Sequence, residues 1–328
     1  MSAKPHLKST KRSVDRIAAR HEKLHQDQLV RDRKSAGSKA GNKKKSPPTA
    51  ERQYPETPLP QGTIAKPGGE TKVTPAPAFS APDYRGSGKL TGKVAIVTGG
   101  DSGIGRAVAV LFAREGANVV IAYLNEHEDA KETKRYIDSE GRKAILISGD
   151  LKDRVFCSRV VKNTLGAFGK VDILVNNAAF QLHANEIGEI SEERLTETFR
   201  TNLFGYFHMA EATLPHMEAG AAIINTGSVV GLEGSSKLLD YSATKGAIHA
   251  FTKSLAKNVL KRGIRVNAVA PGPVWTPLNP PTKMQKASRS SARIRTCIAR
   301  PSQRSYRRLM SSSRRPVAQA TSRASSCL

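Results

Sequence analysis

Tyr241 and Lys245 stand four residues apart, a spacing that puts both on one face of a helix. An ammonium so placed can stabilise a phenolate and lower the phenol pKa towards neutrality. Ser228, thirteen residues upstream at the end of an apolar run, could hydrogen-bond a substrate oxygen while Tyr241 exchanges a proton with it. Taken alone, a Tyr and a Lys on a helix are usually a core-edge ring and a solvated charge. A second cluster changes that balance. Gly99, Asp101, Ser102, Gly103, Ile104 and Gly105 follow a β-rich run and open a helical one. Glycines at 99, 103 and 105 permit a tight turn, close approach of backbone N–H groups to a pyrophosphate, and close packing of helix on strand; the helix N-terminus adds a favourable dipole. A glycine-rich turn can also be purely structural, but the position between strand and helix is the context that a dinucleotide site requires.

These groups need a scaffold. Apolar β-rich runs lie at 94–97, 119–123, 144–147, 171–175, 222–224 and 264–269, with segments long enough for helices between them, such as 106–115, 127–140, 153–168 and 241–262. Strands this apolar, alternating with helices, are buried on both faces. The pattern predicts an α/β fold with a Rossmann-type, doubly wound parallel sheet. Right-handed crossovers then gather the C-terminal strand ends along one edge, where ligands bind.

The chain has 328 residues and is 38% hydrophobic, which fits one α/β domain of roughly 200–250 residues with additional segments. Its net charge of +25 is unevenly placed. Residues 1–92 carry 19 Lys and Arg against 8 Asp and Glu, residues 93–282 carry 22 against 20, and residues 283–328 carry 12 against none. A nearly neutral middle argues against a basic nucleic-acid-binding fold, though not against basic tails. Cys157, Cys297 and Cys327 form no CxxC or metal-ligand pattern, which excludes a disulfide scaffold, points to a reducing compartment and predicts no metal site. No run reaches the roughly 18 apolar residues of a membrane span, and the N-terminus has no secretory apolar stretch. A cytoplasmic location follows, with organelle targeting by the basic N-terminus left open, although Asp15, Glu22, Asp27 and Asp32 are unusual in a transit peptide. Residues 1–82, basic to about 45 and Pro-rich from 46, read as a disordered extension.

Taken together, the two clusters resemble the short-chain dehydrogenase/reductase family. The resemblance also rests on Asp150, the run Asn176, Asn177, Ala178 and Ala179, Asn202, and Pro271 with Gly272, all in the family's order. Within the family, the glycine turn, the stretches 198–202 and 271–277 and the lead-in 84–90 resemble a branch of general-stress oxidoreductases and glucose/ribitol dehydrogenase homologues. The likeness covers about 83–282. It implies that Asp150 would hold the adenine amino group beside Leu151, and that Asn176 and Ala178 would support the cofactor at the end of the fourth strand. Asn202 would anchor a proton relay to Lys245, and Lys245 would also grip the nicotinamide ribose. Pro271, Gly272, Val274 and Thr276 would lie beneath the nicotinamide, whereas Trp275 is read as packing. Tyr123 occupies the position where an acid would bond the ribose of NAD, and no Arg or Lys follows to receive a 2′-phosphate. Asp101 could accept from a ribose hydroxyl and would repel that phosphate, so NAD is favoured over NADP.

The resemblance breaks after Thr282. Residues 283–328 hold 11 Ser and 10 Arg, and no acid follows Asp240, where the family has a substrate-covering loop, a helix and a last strand. Synonymous codons for 284–328 exist whose neighbouring frame encodes a family-like C-terminus, which points to a frameshift after Lys283. The expected layout is an extension over 1–82, a catalytic domain over 83–282 and an Arg/Ser tail over 283–328, with the last strand missing and catalysis impaired in the chain as written. The function expected is hydride transfer between an NAD(P) cofactor and an alcohol or carbonyl, with Tyr241 as acid/base. The alternative is a catalytically impaired nucleotide-binding protein whose basic tails contact nucleic acid or acidic partners. The expected partner is a small alcohol or carbonyl substrate, with no membrane and no nucleic acid. The family implies a homo-oligomer that this C-terminus puts in doubt.

Overall fold

The computed structural model describes residues 4–34 and 68–279. Six strands among them form one all-parallel sheet: β1 Val94–Thr98, β2 Asn118–Tyr123, β3 Ala144–Ser148, β4 Ile173–Asn176, β5 Ala222–Thr226 and β6 Arg265–Val269, in the order β3-β2-β1-β4-β5-β6. The chain winds outward from β1 to β3, then returns to the other side of β1 to place β4. That reversal opens a crevice at the C-terminal ends of β1 and β4.

Side chains of adjacent residues leave a strand on opposite faces, and here both faces are covered. Ala95, Val97, Val119 and Ile121 pack in one core with Ala109 and Phe112 of α2 (Gly103–Arg114) and Ile137 of α3 (His127–Ser139). Ile96, Val120 and Ala122 pack in the other with Phe156 and Val160 of α4 (Arg154–Phe168) and Met209. This two-sided burial is the reason the strands read as unbroken apolar runs. The caps of α4 are local: Asp153 accepts a hydrogen bond from the Val155 amide at 2.8 Å, and Gly169 ends the helix with φ 75°. Two further helices, α5 (Glu192–Phe199) and α6 (Gly205–Thr213), are joined by wide π-type turns over Arg200–Phe204. After β5 come the short α7 (Val230–Glu233) and the long α8 (Leu239–Asn258), which packs on β6.

The N-terminal region departs from expectation. Residues 1–82 read as disordered, yet Lys4–Lys34 is a helix, α1, and 68–82 packs on the domain. In α1, Val14, His21, Leu24, His25 and Gln28 are buried along one stripe. Three of these five residues are polar, so hydropathy alone does not reveal the stripe. Its partners are specific: Leu24 packs with Phe180 and Leu182, and Arg20 reaches Glu193 at 2.9 Å. Between α1 and β1 the chain forms a strap. Arg114 donates to the carbonyls of Ser80 (2.9 Å), Ala81 (2.8 Å) and Tyr84 (3.2 Å), and Trp275 Nε1 donates to the Pro75 carbonyl at 2.7 Å. The tail from 283 and the expected loss of a last strand fall outside the described residues. No helix among the described residues is long and apolar enough to cross a membrane.

Candidate active site

Ser228 follows β5 by two residues, and α8 carries Tyr241 and Lys245 back towards it. All three are buried. The Lys245 ammonium donates to the Thr226 carbonyl at 2.7 Å and lies 5.3 Å from the centre of the Tyr241 ring. Burial lowers the Lys245 pKa to about 7. Burial raises the Tyr241 phenol well above its ordinary value, against a downward pull from a hydrogen bond with Ser228. The expected lowering of the phenol by Lys245 is therefore not produced by the protein's own groups. One apolar enclosure disfavours both the ammonium and the phenolate.

At the opposite end, Gly99 adopts φ 60°, and a Cβ there would stand 3.0 Å from Ala178 Cα. A Cβ on Gly105 would come within 1.8 Å of the Gly99 carbonyl oxygen, so only glycine lets α2 start this close to β1. The Tyr123 hydroxyl, at the end of β2, shares a hydrogen bond of 2.9 Å with His127 Nδ1. Asp101 and Glu126 both face this end. Burial raises Asp101 to about 6; burial and then the charge of Asp101 raise Glu126 to about 8.

A cleft of about 310 Å³ joins the two ends. Gly99, Asp101, Ser102, Gly103, Ile104 and Tyr123 line the first part, and Asp150, Leu151 and Ala178 the middle. Ser228, Tyr241, Lys245, Pro271, Gly272, Val274 and Thr276 line the far part. Three expected residues do not reach the wall. Gly105 is spent on the helix–strand contact. The Asn176 amide donates to Asn225 Oδ1 at 3.0 Å, tying β4 to β5. Asn202, in the wide π-type turn, donates to the Phe180 carbonyl (2.9 Å) and accepts from the Phe180 amide (2.6 Å), which fixes the loop after β4.

Other residues line the cleft unannounced by any motif. Glu126 was legible only as a carboxylate soon after β2. Ile17 and His21 come from α1. The His21 ring lies 4.6 Å from that of Phe180, and its Nε2 is 2.6 Å from Glu197 Oε1. Lys152 also bonds Glu197, and its backbone amide donates to Asp150 at 2.9 Å. Glu197 thereby keeps a pKa of about 2; burial opposes this, and the His21 hydrogen bond is the largest lowering influence. Nothing in a single sequence pairs residue 21 with residue 197. Cys157 is buried with its thiol pushed up to about 12 by burial, which makes it unreactive.

Residues 93–287 match the short chain dehydrogenase family, and the chain belongs to it. Over 244 residues it is 53% identical to the uncharacterized oxidoreductase YhdF of Bacillus subtilis (strain 168), covering 74% of this chain and 84% of that protein. It is 50% identical over 227 residues to the glucose and ribitol dehydrogenase of Daucus carota, covering 67% and 78%. A crystal structure of a short chain dehydrogenase from Burkholderia cenocepacia J2315 in complex with NADP matches with a TM-score of 0.60 and 35% identity, over 63% of this chain and 84% of that one.

Proposed function

We propose that the chain is an NAD(P)-dependent oxidoreductase that interconverts an alcohol and a carbonyl, with Tyr241 as the acid/base. The observation that carries this reading is the single cleft with a glycine turn at one end and Ser228, Tyr241 and Lys245 at the other. A dinucleotide fits the residues present: the turn has left-handed glycines at 99 and 103, and it opens the twelve-residue helix α2, whose N-terminus favours a pyrophosphate. Gly99, Ser102 and Ile104 would hold that group, Gly103 would shape the turn while its amide is bonded to Glu70, and Asp101 with Glu126 would face the adenosine ribose. When bound, the nicotinamide supplies or receives the hydride. In the reducing direction Ser228 orients the carbonyl oxygen and Tyr241 gives it a proton; in the oxidising direction Tyr241 takes that proton back. Lys245, held by the Thr226 carbonyl, positions the nicotinamide ribose and favours the phenolate when protonated. Asn202 acts by fixing the loop at Phe180, and through it the wall of the site.

The Asp101 carboxylate at the ribose end, its pKa of about 6 leaving it mainly charged at neutral pH, with no Lys or Arg from β2 or its loop beside it, supports NAD over NADP; Glu126, raised to about 8, is neutral there. The proposal extends to a cytoplasmic enzyme, supported by three cysteines without a pairing pattern, acting on a small alcohol or carbonyl compound. A panel of sugars, polyols, ketones and aldehydes, followed by the absorbance of the reduced nicotinamide, tests this. At least one must be turned over. Binding of NADH with no turnover across the panel would instead favour a nucleotide-binding protein without catalysis.

A further inference from the structure

Glu70 lies outside the residues matched to the family, on the strap that precedes β1, and is 4% exposed. Its carboxylate accepts from the Gly103 amide and from Arg106 Nη1, the latter at 2.7 Å. Its own amide donates to Asp129 at 2.6 Å. Arg106 is equally buried and has a further duty: its Nε donates to the Asp101 carbonyl at 2.9 Å, in the middle of the glycine turn. Glu70 thus neutralises the guanidinium that grips the turn and also satisfies the first amide of α2. Gly68, Gly103 and Ile104 line the cleft while Glu70 does not, so the carboxylate works from behind the turn rather than in the path of a ligand.

We propose that Glu70 is a positioning residue for the dinucleotide, holding the glycine turn from behind in the shape that receives the cofactor, so that the strap over residues 68–84 is a working part of the cofactor site. The inference rests on the cofactor reading above. Its physical basis is the asymmetry of buried polar groups: without the carboxylate, an N–H and part of a guanidinium lose their acceptor, and the turn must deform to find another. Trp275 ties the same strap to the loop that carries Val274 and Thr276. The strap therefore touches both ends of the cleft.

The test uses the full chain and measures NADH and NADPH binding by nicotinamide fluorescence, with a thermal melt for each variant. Glu70→Ala should raise the dissociation constant about 10- to 100-fold, the range expected for charged hydrogen bonds. Glu70→Gln can still accept from Gly103 and should fall between that variant and the unaltered chain. Arg114→Met, which frees the strap at Ser80, Ala81 and Tyr84 far from the turn, should lower the melting temperature and leave the dissociation constant within about twofold. If Glu70→Ala does not fold, Glu70→Gln decides. Unchanged binding in the folded Glu70 variants overturns the proposal, as does an equal loss in Arg114→Met, because the strap would then act through stability alone. Failure of the unaltered chain to bind either nucleotide would sink the cofactor reading itself, a separate outcome.

Discussion

The two ends of the cleft are built on opposite plans. The end proposed as catalytic is self-contained: Ser228, Tyr241 and Lys245 come from the turn after β5 and from α8, and Lys245 is anchored on Thr226 of β5 within the same unit. The nucleotide end is local only in its glycines. Its shape is held by Arg106 and Glu70 and its acidity is shared between Asp101 and Glu126, which arrive from α2, the strap, the turn and the loop after β2. Lys245 also titrates in the opposite sense to the two carboxyls, since burial raises the pKa values of Asp101 and Glu126 and lowers that of Lys245. The difference teaches that a motif records the groups that touch a ligand, while the groups that hold them in place can come from anywhere in the chain.

The largest expected effect isolates the catalytic end. Tyr241→Phe keeps the ring and removes the proton donor, so turnover should fall by about 10²–10⁴-fold while NADH binding stays within about twofold. A variant retaining more than roughly a tenth of the rate would remove Tyr241 from the acid/base role.

The opposed titrations give the next effect. Lys245 releases its proton near 7 when folded and at its ordinary value of 10.5 when unfolded. Between those values the unfolded chain binds more protons, so stability should rise with pH, by at most about 1.4 kcal/mol per pH unit. Asp101 and Glu126 run the other way. Their folded pKa values of about 6 and about 8 exceed the ordinary 3.8 and 4.5, so the folded chain binds more protons there and stability should fall as pH rises from about 4 to about 8. Urea titrations across pH should show Lys245→Met flattening the upper limb and Glu126→Gln the lower. If both variants change the same limb, the two ends are not independent.

A smaller effect sharpens the nucleotide end. Asp101→Ser removes a charge beside the ribose and should narrow the preference for NAD over NADP by about an order of magnitude, read by titrating both reduced nucleotides. Tighter NADPH binding in the unaltered chain would contradict the assignment. The smallest effect is on α1, where Arg20→Ala removes the ion pair with Glu193, exposed on both sides. It should cost under about 1 kcal/mol and leave NADH affinity unchanged.

What could be read from the sequence follows the same division. The inner strands were legible because they are apolar on both faces, and 94–97 or 144–147 needed only a residue added at the end; β6, with Arg265 and Asn267 on one face, is the exception. The wall residues of the glycine turn and of α8 were legible because their spacing is local. Gly105, Asn176 and Asn202 belong to the same motifs but stand behind the cleft wall, against the Gly99 carbonyl, Asn225 and Phe180, a placement that spacing cannot report. The helix α1 was missed because His21, His25 and Gln28 fill its buried stripe, and their partners on α5 and the loop after β4 lie far along the chain. Glu70 was hidden for the same reason, as one acid in a Pro-rich stretch. The direction of the phenol pKa was not legible, because spacing does not report the burial that raises Tyr241 and lowers Lys245.

The most direct measurement follows the hydride itself. An alcohol identified by the substrate panel, carrying deuterium on its carbinol carbon, is incubated with the oxidised nucleotide and the chain, and the reduced nucleotide is weighed by mass spectrometry. The account predicts one deuterium in each newly reduced nucleotide, formed by the unaltered chain and lost in Tyr241→Phe although that variant still binds NADH. Reduced nucleotide without the label, or the same labelled yield from Tyr241→Phe, would contradict it.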